Sequence, residues 1–286
     1  MRTKNAMQLK ARVNARAREA GIPAQMMMQN YLLERLLERI SLSPWRERVV
    51  VKGGMLIASM IGVASRTTMD LDTTVTGFTL THQSAEEAFR EIASVEVNDD
   101  WEFEFVRTAD IRESDDDPGI RVHLIARYAP MAVPVTVDVT AGDRITPGPA
   151  AYNYRLLFDD RTITLVAYPL ETVLAEKLET VVSRGVTNTR PRDFYDIHVL
   201  WRTKGKECDI QTLRNALEAT CEKRRSAERI RRWERVLTDV ASDDTMLALW
   251  TKYERTNPYV AGITLPETCE TAKEVMRCID LQSDAS

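Results

Sequence analysis

An α+β fold, a mixed sheet with flanking helices followed by a C-terminal helical bundle, is what this sequence predicts. Three observations predict it. A β-branched run, Val49-Val50-Val51, breaks at Lys52-Gly53-Gly54 into Met55, Leu56, Ile57, Met60 and Ile61 at helical spacing, the pattern of strand, tight turn and helix. The run VPVTVDVTAGD alternates, with Val133, Val135, Val137 and Val139 on one face and Thr136, Asp138 and Thr140 on the other, as a half-buried strand must. From Pro169 onward the pattern is almost wholly helical.

The elements follow in order. Residues 5–43 read as two helices separated by Gly21-Ile22-Pro23, the second with Leu32, Leu33, Leu36, Leu37 and Ile40 as its core face. A helix over 53–62, a strand over 70–76 and a helix near 83–94 come next, and Ser84-x-x-Glu87 resembles a capping box. Strands are expected near 102–112, 120–128, 133–140 and 161–167, with Asp115-Asp116-Asp117-Pro118-Gly119 as a hairpin loop. The helical part breaks near 185–191, 205, 242–244 and 257–266, and Gln282 to Ser286 are expected to fray. Two domains result, 1–168 and 169–286.

Composition narrows the function classes. The four cysteines of the 286 residues, Cys208, Cys221, Cys269 and Cys278, are late and widely spaced without a C-x-x-C unit. That argues against a zinc ribbon or disulfide scaffold and for a reducing compartment. Only His82, His123 and His198 offer imidazole chemistry. No apolar run approaches a membrane span and the N-terminus lacks the apolar core of a signal peptide, so a cytoplasmic protein with no membrane partner is expected. The net charge is −4, yet CEKRRSAERIRRWERVL is basic. As one helix it would set Arg225, Arg229 and Arg232 at i, i+4 and i+7, either a solvated face or a track for RNA phosphates.

Asp70-Leu71-Asp72 carries the chemistry. Carboxylates at i and i+2 on a strand share a face, and their repulsion raises one pKa unless a cation intervenes. A divalent ion such as Mg2+ or Mn2+, a ligand of hard oxygens and of nucleotide phosphates, would resolve it; otherwise the pair is a solvated strand end. Asp138 emerges on the polar face of its own strand and completes a three-carboxylate set that could hold two metals. Gly53 and Gly54 stand where backbone N–H groups can approach a phosphate at the start of a helix, or simply form a turn. In the helical part, Lys177 interrupts the apolar stripe of Leu170, Val173, Leu174, Leu178 and Val181. It either snorkels to the edge or meets an anion in a cleft. Asp193 and Asp196 share one side of the next helix, where Asp193 could satisfy the helix N-terminus or position Lys177 or the nucleotide.

The ordered set Lys52-Gly53-Gly54, Arg66-Thr67-Thr68-Met69-Asp70-Leu71-Asp72, Lys177 in AEKLETVVSR and Arg192-Asp193-Phe194-Tyr195-Asp196 resembles the AbiEii/AbiGii toxins. These are polymerase-β-like nucleotidyltransferases of type IV toxin–antitoxin systems, including the MenT branch, and the resemblance spans roughly residues 5 to 200. It implies a metal-dependent enzyme that transfers a nucleotide from an NTP to an RNA acceptor, tRNA above all, arrests growth and is controlled by an antitoxin encoded nearby. It implies Asp70, Asp72 and Asp138 as metal ligands, and Lys52, Gly53, Gly54, Arg66, Thr68, Lys177 and Asp196 on the nucleotide. Lys177 would offset developing charge, Asp193 would assist, and the helical domain would close the active-site cleft. The superfamily's Gly-Ser turn is Gly53-Gly54 here, so a hydroxyl contact to phosphate is lost. Transfer to a small molecule or a protein, and a non-catalytic binding module on the same fold, are the alternatives.

Overall fold

The computed structural model describes residues 2–111 and 119–280. The chain divides into two compact units, one of residues 1–143 with 150–167 and the other of 144–149 with 168–286. The acidic hairpin expected at Asp115–Pro118 and the frayed end at Gln282–Ser286 lie outside the described residues.

In the first unit, α1 (Ala6–Ala20) starts at Asn5, whose side chain accepts the Gln8 N–H, and ends at Gly21 with φ +66°. That left-handed cap suits glycine because it has no Cβ to clash. The second helix, α2 (Ala24–Leu42), buries Leu32, Leu33, Leu36, Leu37 and Ile40 as expected. Its charged side is buried too. Arg35 bridges Glu34 and Glu38 at 2.9 and 2.6 Å. Arg39 makes a two-pronged pair with Asp99 and donates to the Trp101 carbonyl. Buried charge is tolerated only when paired in this way.

A seven-stranded mixed sheet follows: β1 (Val49–Lys52), β2 (Leu71–Val75), β3 (Glu102–Ile111), β4 (Gly119–Tyr128), β5 (Met131–Ala141), β6 (Ala150–Arg155) and β7 (Thr162–Ala167). Their order is β3-β4-β5-β2-β1-β7-β6. Pairs β2/β5 and β1/β7 are parallel and the other four antiparallel. Val135, Val137 and Val139 lie wholly in the core, so the Thr136, Asp138 and Thr140 face of β5 is left to carry polar chemistry. Helix α3 (Gly53–Ile61) grows directly from β1.

Three expectations are corrected. Helix α4 (His82–Ser94) is capped by Thr81, with Ser84 as the reciprocating residue, so the box lies three residues earlier and does not use Glu87. Strand β6 was not foreseen, because it is an edge strand with mostly exposed residues and little apolar alternation. Asp70 precedes β2 instead of starting it.

The second unit is helical: α5 (Leu170–Arg184), α6 (Pro191–Lys204), α7 (Ile210–Arg224), α8 (Ala227–Ile230), α9 (Trp233–Ser242), α10 (Asp244–Thr256) and α11 (Leu265–Asp280). The single cationic helix expected through Arg225, Arg229 and Arg232 does not form. Arg225 adopts φ +52° as the C-cap of α7, and Ser226 N–H bonds back to the Cys221 carbonyl. This is a left-handed helix stop made without glycine. A second break at Arg231 and Arg232 separates α8 from α9. Among the described residues, no helix is long and apolar enough to cross a membrane.

Candidate active site

Strand register builds the site of the first unit. Lys52 on β1 pairs with Asp72 on β2, Asp72 pairs with Asp138 on β5, and Asp138 pairs with Arg121 on β4. Paired residues on neighbouring strands project to the same face. Four strands therefore present one row of charge: cation, acid, acid, cation. Asp70 joins the row from the lead-in to β2, where the Thr136 hydroxyl donates to its Oδ1 at 2.8 Å. The three predicted carboxylates thus share one sheet face, half-buried, against one polar stripe of β5.

Each has a partner. Gly54 N–H donates to Asp72 Oδ2 at 3.3 Å. Gly53 has φ +67°, and a Cβ there would lie 2.0 Å from Asp72 Oδ2. Glycine is required on both counts, for the left-handed backbone and for the approach of the carboxylate. A Cβ on Gly54 would come within 2.8 Å of the Thr68 hydroxyl, with the Arg66 guanidinium next at 3.4 Å. Thr68 donates to the Asp70 carbonyl at 3.1 Å, and Arg66 donates to the Thr67 carbonyl. The glycine turn and the R-x-T-x-D loop are thus packed on one another. Lys52 Nζ donates to Thr140 Oγ1 at 2.8 Å and Asp143 Oδ2 at 2.5 Å.

Asp138 is committed differently. Arg121 Nε and Nη2 donate to its Oδ1 and Oδ2 at 2.7 Å each. These hydrogen bonds to Asp138 lift the guanidinium further above its usual range, and the charges of Asp70 and Asp72 add to the effect. Arg121 therefore lies in the field of all three acids. Three hard carboxylates on one face suit a divalent cation. The closed three-acid cage expected from the sequence is not formed, however. Among the described residues, no three His, Cys, Asp or Glu side chains converge as a metal site. Arg121 draws Asp138 to itself. Sequence reasoning missed this residue.

In the second unit, Lys177 neither snorkels nor stands alone. Its Nζ lies 2.7 Å from Asp193 Oδ1 and 2.8 Å from Asp196 Oδ2. Burial lowers the affinity of the amine for its proton, but the two carboxylates outweigh burial and the net shift is upward. Lys177 is firmly an ammonium. Pro191 opens α6, so Asp193 falls in its first turn and Asp196 one turn on, fully buried. Elsewhere in this unit Arg184, Arg229 and Arg232 line a cavity of about 370 Å³ together with Val182, Val236 and the acids Glu228 and Asp239. Arg225 is not part of that lining.

The family model described as "Nucleotidyl transferase AbiEii toxin, Type IV TA system" matches residues 35–266. A candidate nucleotidyltransferase from H. pylori superposes with a TM-score of 0.55 at 12% identity, over 93% of this chain and 99% of its own. JHP933 from Helicobacter pylori superposes at 0.51 with 13% identity, over 91% and 96%. At such identities the likeness is one of fold. No curated protein matches the chain.

Proposed function

The chain belongs to the AbiEii nucleotidyl transferase toxin family of type IV toxin–antitoxin systems, and from that premise we propose a metal-dependent enzyme that transfers a nucleotide from an NTP to RNA, with tRNA as the acceptor. Transfer would halt growth until a separately encoded antitoxin intervenes, and the site of action would be the cytoplasm. The acceptor hydroxyl attacks the α-phosphorus in line. The bond to the bridging oxygen breaks, pyrophosphate leaves with the electron pair, and the hydroxyl proton passes to a carboxylate or solvent.

Asp70 and Asp72 would hold Mg2+ or Mn2+ with the triphosphate, and Asp138 would help to take the acceptor proton. A divalent ion, when bound, supplies charge neutralisation and Lewis acidity to phosphoryl transfer. Gly53 keeps the turn open for Asp72, and the backbone at Gly53 and Gly54 would hold phosphate once the Gly54 N–H leaves Asp72 Oδ2. Lys52, Arg66 and Thr68 border the same turn and are assigned to the nucleotide. Lys177 would offset charge on the transferring group, held by Asp193 and Asp196. Arg229 and Arg232, joined by Arg184, would contact RNA phosphate, and Arg225 would do so from the cap of α7, outside that cavity's lining.

The observation that carries this reading is the row Lys52–Asp72–Asp138–Arg121 with Asp70 beside it. The row gathers three half-buried carboxylates on one polar face, where their mutual repulsion favours a bound cation. The test is incubation with α-labelled nucleotides, Mg2+ and separate pools of tRNA, small hydroxylated acceptors and protein. Label in tRNA is expected. Label confined to protein or to small acceptors would reject the RNA reading while keeping transfer.

A further inference from the structure

Arg121 and Asp138 are register partners on β4 and β5 and form a two-pronged ion pair with both contacts at 2.7 Å. Asp138 is in turn the register partner of Asp72, one of the two acids at the glycine turn. Strand β4 flanks β5 on the side away from β2, so the guanidinium takes both oxygens of Asp138 from the far side and holds them away from Asp72. The Arg121 side chain is 40% exposed, so it can swing away without breaking apolar packing. Two-pronged guanidinium–carboxylate pairs are the strong and geometrically specific ones, which makes this contact a competitor with a defined strength.

We propose that Arg121 is a built-in counter-ion that competes with the divalent cation for Asp138, so that metal completes its site only as the guanidinium releases that carboxylate. The inference rests on the metal-dependent reading above and adds a residue to it. Arg121 offsets the charge of Asp138 when no metal is bound. It also sets a threshold concentration below which the third carboxylate is withheld. The released guanidinium remains beside the acids as a positive charge for phosphate.

Binding of Mn2+ alone to the full chain, followed by electron paramagnetic resonance or calorimetry without nucleotide, tests this. Arg121→Met keeps the aliphatic stem and removes the competitor, and it should bind Mn2+ on the order of tenfold more tightly than the parent, the worth of one charged hydrogen-bonded contact. Arg121→Lys, which cannot form the two-pronged pair, should fall between them. Mn2+ should also raise the melting temperature of Arg121→Met more than that of the parent, because tighter binding stabilises more at the same ion concentration. This second readout serves if the variant is weakly folded without metal.

Equal or weaker Mn2+ binding by folded Arg121→Met would overturn the inference and leave the metal reading standing, provided Asp72→Ala loses binding. No Mn2+ binding by parent or variants would overturn both.

Discussion

Asp72 and Asp138 are Cα partners on adjacent parallel strands, although a helix and two strands separate them in the chain. Parallel register sets both carboxylates on the face opposite Val137 and Val139, and the Thr136 bond brings Asp70 to the same place. This juxtaposition turns two unremarkable acidic spots in the sequence into one site.

Gly53→Ala should inactivate with a modest loss of stability. The left-handed backbone at Gly53 would cost a Cβ-bearing residue about 1–3 kcal/mol, and the new methyl would collide with the Asp72 carboxylate at 2.0 Å. Chemical denaturation should report a loss in that range, and nucleotide transfer should fall by at least about a hundredfold because the carboxylate proposed to hold the metal has moved. An active variant would show that the position of Asp72 is not needed.

Lys177→Met should destabilise far more than an ordinary surface change. It leaves Asp193 and the fully buried Asp196 without their shared cation, and removing one partner of a buried pair costs about 3–5 kcal/mol. Replacing all three residues, with Lys177→Met, Asp193→Asn and Asp196→Asn, should recover much of that stability but no transfer. Recovery of both would make the trio purely structural.

Much of this was legible in advance. Period-two alternation around Asp138 reveals which face it takes, because strand geometry is local, whereas Asp70 lies ahead of β2 and reaches that face through the Thr136 bond. Lys177 was visible as a charge in an apolar stripe. Arg121 was not, because GIRVHLIARY alternates like any strand and its pairing with Asp138 depends on a hairpin register that one sequence does not encode. The helix break at Arg225 was hidden because the left-handed position carries arginine, without the glycine that usually marks a stop. The burial of the charges of α2 was hidden for a similar reason. Their partners Asp99, Leu157 and Arg161 arrive from distant segments.

Glu34 makes the stability pH-dependent. Burial pushes its carboxyl up from 4.5 to about 7, against the opposing pull of Arg35. A carboxyl whose folded pKa is raised favours the native state fully below its unfolded value. That contribution is lost as pH rises from about 4.5 through about 7. Glu34→Gln retains an acceptor for the Leu157 N–H but cannot ionise. The stability of this variant relative to the parent should therefore improve between about pH 5 and about pH 8 in urea unfolding. A difference that does not change with pH would place the Glu34 titration outside that window.

The most direct test of the acid site is Asp72→Ala, assayed with α-labelled NTP, Mg2+ and the tRNA pool beside a circular dichroism check of folding. The account predicts a folded protein that transfers no label above background. Transfer at the parent rate by the folded variant would contradict it.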